Sequence, residues 1–274
     1  MNNIASCRVL RFDGANVADT TDELAREEPL EIRARGEPIS VTMRTPGDDA
    51  ELAVGFLLSE GIIHGPKDVL RVTPCDQNEE GNVLNVLLAP EVHLDLERLT
   101  RHVFASSSCG LCGKATIDAV RCGFPPIDSD LTVDSEILGG LPDAMRGAQS
   151  AFDRTGGLHA AALFDENGKL LVLREDVGRH NAVDKVLGYA VLKELVPLHR
   201  SILLVSGRSS FEIVQKALSG RIPVVAAVSA PSSLAVEFAR QNGQMLVGFL
   251  RKGRMNVYAN SWRIRFKGAG VAAQ

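Results

Sequence analysis

The first hundred residues contain short hydrophobic runs. Most of them have the spacing of β-strands, and one has the spacing of a helix. β-Forming residues cluster in four segments, which predict strands at 30–35, 38–44, 69–72 and 83–89. A polar turn is followed by a segment with helical spacing that Gly61 terminates, and this predicts a helix at 51–60. The pattern therefore predicts a small α+β domain over residues 1–104.

Strand-like and helix-like segments alternate regularly from residue 158 onward. The predicted strands are 158–164, 169–174, 202–205, 223–228 and 245–249, and the predicted helices are 181–194, 211–218 and 234–240. Such alternation favours a partly parallel sheet with helices on both faces. We therefore predict an α/β domain with a mixed sheet over residues 125–274, although residues 125–155 show only patches of helical spacing.

The composition is that of a globular protein. Of the 274 residues, 45% are hydrophobic and 23% are charged, and the mean hydropathy is +0.04. No apolar run approaches the roughly 20 residues of a spanning helix, and the first residues lack the apolar core of a signal peptide. Five cysteines, an odd number, favour reduced thiols over a disulfide framework. We expect a cytoplasmic protein that does not enter the membrane.

Charge is unevenly distributed along the chain. A net charge of −4 argues against a general nucleic-acid binder. Residues 241–274 nevertheless carry no Asp or Glu and several cations, which are Arg251, Lys252, Arg254, Arg263, Arg265 and Lys267. This segment is a candidate to hold a small anion.

Cys109 and Cys112 lie three positions apart in a Ser- and Gly-rich stretch, which predicts a mobile loop at 105–124. The spacing allows a shared disulfide, a shared metal or a sulfur atom passed between the thiols. A structural zinc needs four ligands, and no second C-x-x-C or suitably spaced histidine is present. A thioredoxin-like pair would open a helix inside a βαβ unit. Sulfur relay needs an exposed thiolate on a mobile segment, and two incidental loop cysteines are the plain alternative.

Polar residues cluster at three predicted strand-to-helix junctions, which are 175–180, 206–210 and 229–233. Ligands of open α/β sheets bind beyond the carboxyl ends of strands, and helix N-termini there attract phosphate. The serines can also be ordinary helix caps. In the first junction, Arg179 or His180 is a candidate to face a ligand, and Arg208 and Lys216 are weaker candidates. His159, in an apolar strand, is interpreted as a core histidine.

A basic segment follows the last predicted strand. Its residues are Phe249, Leu250, Arg251, Lys252, Gly253 and Arg254. Arginine forks and a lysine bind phosphate oxygens, glycine permits close approach, and an aromatic ring offers a stacking face. The segment is suited to a purine nucleotide or pyrophosphate, with a solvated basic turn as the alternative.

Several of these motifs together resemble the FdhD/NarQ family of formate dehydrogenase accessory sulfurtransferases. Ser-Cys-Gly-Leu-Cys-Gly at 108–113, Glu-Asp-Val-Gly-Arg-His at 175–180, Ser-Gly-Arg-Ser-Ser at 206–210 and the segment 249–254 occur in the order of the family's motifs. Residues 56–63 also resemble the family's N-terminal half. The resemblance implies a cytidine-deaminase-like C-terminal domain, a smaller N-terminal α+β domain and a homodimer.

The resemblance also implies an activity. Sulfur from a cysteine desulfurase is received as a persulfide on Cys109, with Cys112 auxiliary, and is delivered to Mo-bis(molybdopterin guanine dinucleotide) for formate dehydrogenase. The cofactor is bound as a substrate by residues 249–254, and GDP is a possible partial mimic. Leu250 and Lys252 depart from the commoner Cys and Pro. The H-x-E and P-C-x-x-C motifs of zinc deaminases are absent, so we expect no metal site.

Two functions of different classes follow. The first is a sulfurtransferase that uses Cys109. The second is a chaperone that binds molybdopterin or guanine nucleotide and delivers the cofactor without carrying sulfur. The same sulfur chemistry for another client enzyme is a variant of the first.

Overall fold

The computed structural model describes residues 3–75, 81–94 and 123–266. The strands are β1 (Ile4–Phe12), β2 (Val17–Ala25), β3 (Glu28–Ala34), β4 (Glu37–Arg44), β5 (Val69–Pro74), β6 (Val83–Leu88), β7 (Val133–Asp134), β8 (His159–Asp165), β9 (Leu170–Asp176), β10 (Ser201–Val205), β11 (Val224–Ala227), β12 (Met245–Arg251), β13 (Arg254–Ala259) and β14 (Ile264–Arg265). The helices are α1 (Asp49–Ser59), α2 (Ser135–Ala148), α3 (Ser150–Thr155), α4 (Arg179–Leu192), α5 (Phe211–Ser219) and α6 (Ser233–Gln241).

The N-terminal half contains a four-stranded sheet in the order β4-β3-β6-β5. Strands β3 and β4 form the predicted hairpin, which turns at Arg35 and Gly36 with φ values of 51° and 88°. Such positive φ values are typical of the two-residue turns that close hairpins. Strand β3 pairs in parallel with β6, because α1 and β5 intervene along the chain. The predicted helix and four strands of this half are confirmed.

The C-terminal half is built on a six-stranded mixed sheet in the order β13-β12-β11-β10-β8-β9. Strands β10, β11 and β12 are parallel, whereas β8 is antiparallel to both β10 and β9. Because β8 is antiparallel to both of these neighbours, β9 runs in the same direction as β10. The carboxyl ends of β9, β10, β11 and β12 therefore lie at one edge of the sheet, called here the carboxyl edge.

Hydrophobic side chains cover both faces of the six-stranded sheet. On β10, Leu203 and Val205 belong to the core formed with α4, α5 and α6, whereas Ile202 and Leu204 belong to the core formed with α2. This alternation follows from the period of two along a strand. The prediction of an α/β fold with a mixed sheet and helices on both faces is confirmed. The finer cytidine-deaminase-like description stays a prediction.

Helices α1 and α4 touch backbone to backbone. A β-carbon on Gly55 of α1 would lie 1.8 Å from the carbonyl oxygen of Asp184, and one on Gly188 of α4 would lie 1.8 Å from the carbonyl oxygen of Glu51. Only glycine allows this approach. One hydrophobic core runs from the four-stranded sheet through α1 and α4 to the six-stranded sheet. The predicted boundary at residue 104 lies outside the described residues, and the three-part division stays a prediction.

Lys216, a weaker ligand candidate from the sequence, already has hydrogen-bond partners within the protein. Its Nζ donates to both carboxylate oxygens of Asp184 at 2.8 Å and to the Ser59 hydroxyl at 2.8 Å. Burial raises the pKa of Asp184, and the Lys216 ammonium opposes that rise. The cluster links α1, α4 and α5 and is not part of a ligand site.

Candidate functional site

The three polar junctions predicted from the sequence meet at the carboxyl edge. They follow β9, β10 and β11, and the basic segment ends β12 beside them. Backbone hydrogen bonds join the second and third junctions, from Ser209 N to Ala230 O at 3.2 Å and from Ser232 N to Ser209 O at 3.0 Å. Phe249 N donates to Ser229 O at 3.1 Å. The topology thus assembles four separate sequence segments into one surface.

The helix N-termini at this edge are capped differently. Ser232 caps α6, because its hydroxyl accepts from Ala235 N at 3.2 Å. Ser210 makes no side-chain cap on α5, and its hydroxyl lies 3.3 Å from His180 Nε2. Gly178 precedes α4 and has no side chain to cap it. The alternative of an ordinary helix cap thus applies to Ser232 of α6, whereas the hydroxyl of Ser210 at α5 is near His180 instead.

The two acids of the 175–180 junction hold the fold together. Asp176 is fully buried and pairs with Lys185 Nζ at 2.8 Å. It also accepts from the backbone N–H groups of Thr45 and Gly178 and from the Asn181 side chain. Glu175 accepts from the first N–H groups of α3. A buried carboxylate needs such partners. These acids therefore position the junction, which leaves Arg179 and His180 as its ligand candidates.

Arg179 and His180 begin α4 beside Gly207. His180 Nε2 lies 2.7 Å from Glu212 Oε2 on α5, so a carboxylate orients the imidazole. Arg179 Nε is buried and has no hydrogen-bond partner among the described residues. A β-carbon on Gly207 would lie 3.5 Å from His159 Nδ1 and 3.9 Å from Arg179 Cδ. Three cationic or titratable side chains thus surround the end of β10.

His159 does not lie in the core. It is half-buried at the start of β8 and lines a cleft, so its interpretation as a core histidine is wrong. The sequence suggested a core position because residues 160–164, which follow His159 in the same strand, are all apolar and buried. Burial lowers the pKa of His159, and the nearby charges of Arg179 and His180 lower it further.

The lowered pKa of His159 predicts acid sensitivity. Below about pH 6.5, the usual pKa of imidazole, the unfolded chain binds a proton there that the folded chain resists. The free energy of unfolding is therefore expected to decrease as pH falls through this window. In urea titrations at pH 5.5 and 7.5, His159→Gln should lose less stability at the lower pH than the parent. Equal losses would contradict the assignment, and His64→Gln, which removes an exposed imidazole, serves as the control.

The basic segment forms the bulged end of the β12–β13 hairpin. Lys252 and Gly253 make the turn, with φ values of 51° and 69°, and Phe249 adopts a positive φ of 53° where the register shifts. Leu250 is fully buried in the core beneath α2. The four residues that follow it are exposed: Arg251, Lys252, Gly253 and Arg254. The side chains of Arg251, Lys252 and Arg254 have no hydrogen-bond or ion-pair partner in the described part of the chain, so they are free to bind an anion.

The other cations of the C-terminal segment that the structure describes, Arg263 and Arg265, bind groups within the protein. Arg263 is buried and donates to the carbonyl oxygens of Gly243, Ser129 and Leu131. Arg265 pairs with Asp134 at 2.7 Å. The prediction that residues 241–274 as a whole could hold an anion is thus too broad. Among the described residues of this segment, the cations without a partner lie at the hairpin end.

A cleft of about 630 Å³ opens beside the hairpin end, on the α2 side of the carboxyl edge. Its apolar wall consists of Pro142, Met145, Phe152, Leu158 and Val228. Its polar wall consists of Asp143, Arg146, Gln149, His159, Ser206, Arg251 and Lys252. An apolar wall with a few convergent polar groups is typical of small-molecule sites. The cationic rim favours a phosphate-bearing ligand.

Sequence reasoning missed the contribution of α2 to this cleft. Leu138, Leu141 and Met145 are buried at helical spacing, a usable signal that Gly139, Gly140 and Pro142 obscure. The tip glycine of the hairpin, Gly253, lies 3.9 Å from the position of a β-carbon on Gly139. Small residues on α2 therefore let the basic hairpin end approach the helix.

Cys109 and Cys112 lie outside the described residues. The described free cysteines are Cys7, which is exposed, and Cys75, which is half-buried. Within the described ranges, no group of three or more His, Cys, Asp and Glu side chains has the arrangement to hold a metal ion. No helix of the described residues is long and apolar enough to cross a membrane.

Comparisons with known proteins agree with this architecture. The sequence model of the FdhD/NarQ family matches residues 25–265. A protein of Streptomyces coelicolor named sulfur carrier protein FdhD is 52% identical over 270 residues, which cover 96% of each chain. Proteins of the same name from Mycobacterium tuberculosis and Anaeromyxobacter dehalogenans are 52% and 46% identical, over 94% and 97% of this chain and 97% and 95% of theirs.

A solved structure shares the fold. The crystal structure of a protein from Desulfotalea psychrophila, described as a formate dehydrogenase accessory protein, matches with a TM-score of 0.76 at 24% identity. The match covers 96% of this chain and 100% of that chain. From the family match over residues 25–265 and the high identity over nearly the full length, we conclude that this chain belongs to the FdhD/NarQ family.

Proposed function

We propose that this protein is a sulfurtransferase that carries sulfur, as a persulfide on Cys109, from a cysteine desulfurase to a molybdenum cofactor. The cofactor is Mo-bis(molybdopterin guanine dinucleotide), bound as a substrate, and the client enzyme is a formate dehydrogenase. The observation that carries the proposal is family membership, because relatives 52% identical over nearly the whole chain are named sulfur carriers. The name of the Desulfotalea psychrophila protein supports the client. We further propose that the protein acts in the cytoplasm as a homodimer.

Cys109 and Cys112 together account for the bonds and electrons of the proposed transfer. The Cys109 thiolate attacks the outer sulfur of the desulfurase persulfide, so one S–S bond forms, another breaks and the desulfurase leaves as a thiolate. Delivery as sulfide to molybdenum requires two electrons. The Cys112 thiolate supplies them by attacking the Cys109 sulfur, which forms a Cys109–Cys112 disulfide and releases the outer sulfur as HS⁻. A cellular thiol then reduces the disulfide.

The cleft at the carboxyl edge supports a phosphate-bearing substrate. Arg251 and Lys252 on its rim offer a planar fork and a point charge for phosphate oxygens. The orphaned Nε of Arg179 and the uncapped N-terminus of α4 lie at the same edge of the sheet, where further phosphates can bind. A cofactor that carries two dinucleotides has several phosphates to place, and GDP would occupy part of such a site.

The cleft also favours a second candidate function. None of its lining residues among the described part of the chain is a cysteine, and a chaperone that binds and delivers the cofactor without sulfur chemistry would use the same surface. In that case, removing Arg254 from the basic hairpin end should impair cofactor delivery more than removing Cys109.

Mass spectrometry after sulfur loading separates the two functions. Reduced protein incubated with a cysteine desulfurase and cysteine is expected to gain about 32 Da, the mass of one sulfur atom, on the peptide that contains Cys109. A thiol reductant should remove it, because a persulfide is reducible. The Cys7→Ser variant, which lacks the exposed Cys7 thiol, should gain the same mass. No gain, together with tight guanine-nucleotide binding, would contradict sulfur transfer and favour the chaperone.

A further inference from the structure

The β1–β2 hairpin projects from the protein as an arm. Its base is held by an ion pair between Glu23 and Arg154 and by the packing of Ile4 against α3. Beyond the base, every residue from 10 to 19 is exposed, and β1 and β2 pair only with each other among the described strands. From Glu23 to its tip the arm extends about 20 Å. A two-stranded hairpin is only marginally stable by itself in water, so an arm of this length needs a surface to pack against.

One face of the arm is apolar at its tip. Phe12 lies directly opposite Val17 in the pairing of the two strands, and Leu10 lies two residues before Phe12. The side chains of all three residues therefore point to the same face. Phe12, Val17 and Leu10 are 69%, 67% and 75% exposed. Neighbouring apolar side chains with this exposure mark an interaction surface.

The same chain has a second exposed apolar surface, the outer face of the four-stranded sheet. The opposite face of that sheet packs on α1, whereas the outer face carries Val41, Met43 and Leu87, which are between 40% and 46% exposed. Arg71 lies opposite Leu87 in the pairing of β5 and β6 and has no hydrogen-bond or ion-pair partner among the described residues. At the tip of the arm, the Asp13 carboxylate accepts backbone N–H groups of the turn. The two surfaces are thus both apolar and carry charges of opposite sign.

We infer that the arm is a dimerisation element, whose apolar tip binds the outer face of the four-stranded sheet in a second copy of this chain. The arm of the second copy binds back in the same way, so a two-fold axis relates the two contacts. Each contact covers Phe12 with the apolar side chains of the outer face and brings Asp13 towards Arg71 of the second copy. This inference rests on the proposed homodimer and names the surfaces that form it.

The areas favour this exchange over a contact between two arms alone. The three apolar side chains of one arm offer roughly 300–400 Å², about half of the roughly 800 Å² that each partner contributes to a stable interface. In the reciprocal contact, each copy contributes both an arm and an outer face. The area that each copy buries is therefore about twice that of the arm alone.

Charge disfavours a dimer in which the arms pair edge to edge. Strand β1 carries Arg8 and Arg11 without an acid, and β2 carries Asp19, Asp22 and Glu23 without a cation. Joining β1 to β1 of the second copy, or β2 to β2, would place like charges beside each other, which destabilises strand pairing. Joining β1 to β2 would place opposite charges together, but such a head-to-tail contact leaves one edge free on each copy and does not close. The apolar face of the arm therefore remains as the contact of a closed dimer.

Sedimentation velocity of the full chain tests the inference. The parent should sediment as a dimer at micromolar concentrations. Phe12→Asp and Leu87→Asp should each weaken the dimer by at least ~100-fold, because a charge then enters an apolar contact that occurs twice. Both side chains are exposed in the single chain, so the circular dichroism of the variants should match that of the parent. Leu234→Asp is the matched control, because Leu234 is 44% exposed at the start of α6, outside both surfaces, and it should leave the dimer unchanged.

Photocrosslinking from the tip of the arm tests which surface receives it. Benzoylphenylalanine replaces Phe12 in unlabelled protein, which is mixed with isotopically labelled parent until subunits have exchanged. Crosslinks should join the unlabelled arm to labelled peptides that contain Val41, Met43 or Leu87. The label shows that such a crosslink connects two copies.

A monomeric parent, or crosslinks to labelled peptides outside the outer face, would overturn the inference. A monomeric parent whose position 12 crosslinks to added cysteine desulfurase would assign the arm to that protein and would also overturn it. If the parent is a dimer that Phe12→Asp leaves intact, the role of the arm is contradicted and the homodimer stands. Sulfur loading on Cys109, measured by mass, should be the same in Phe12→Asp, so failure of the arm and failure of sulfur transfer are distinguishable.

Discussion

Cys109→Ala is expected to reduce the activity of the client formate dehydrogenase to the level of a strain that lacks this protein. The persulfide has no other attachment point in the proposed chemistry, so the loss should be complete rather than partial. Formate-dependent dye reduction in extracts of the complemented strain measures it. The Cys75→Ala variant, which lacks the half-buried cysteine directly after β5, should restore activity and is the control for the loss of a thiol.

Substitutions of Cys109 and Cys112 should block the proposed reaction at different steps. Cys112→Ala should still gain sulfur on Cys109, yet it should not activate the dehydrogenase, because the electron pair that releases HS⁻ is missing. Normal activation by Cys109→Ala would contradict the sulfur-carrier account. Normal activation by Cys112→Ala would contradict only the assigned source of electrons.

Gly188→Ala is expected to have the largest effect on stability. The added β-carbon would meet the Glu51 carbonyl oxygen at 1.8 Å, and backbone cannot rotate away as a side chain can. Helices α1 and α4 must then separate across the shared core, which should lower the free energy of unfolding by at least ~3 kcal/mol. Urea denaturation measures this as a decrease in the transition midpoint.

Gly140→Ala is the matched control for that experiment. Gly140 is exposed in the middle of α2, and a β-carbon added there would have no described atom within 4 Å. Alanine should stabilise this helix by up to about 1 kcal/mol through its higher propensity. A Gly188→Ala midpoint equal to that of the parent would contradict the backbone contact.

The sequence predicted most of the C-terminal sheet because its strands are strongly apolar and its helices alternate with them. It did not predict the β1–β2 hairpin. Among the described strands, β1 and β2 pair only with each other, and they expose apolar side chains such as Leu10 and Phe12, which are 75% and 69% exposed. Without a face buried along its length, the hairpin lacks the alternation that marks a strand. Its base contacts α3, through the apolar side chains of Ile4 and Ala25 and through an ion pair between Glu23 and Arg154.

The candidate site was predictable in part. The junctions and the hairpin cations follow from residue type and strand order, since carboxyl ends of parallel strands meet at one edge. The role of α2 did not follow, because Gly139, Gly140 and Pro142 disfavour a helix that tertiary packing nevertheless stabilises. Asp143 and Arg146 line the cleft as a result of that packing, so no local pattern indicated them.

Transfer of labelled sulfur tests the central claim most directly. The protein is loaded with isotopically labelled sulfur by a cysteine desulfurase, separated from the donor, and mixed with inactive formate dehydrogenase that contains the unsulfurated cofactor. The account predicts that label leaves Cys109 and appears on the cofactor of the isolated dehydrogenase, in step with the rise in formate oxidation. Activation of the dehydrogenase without transfer of label would contradict it.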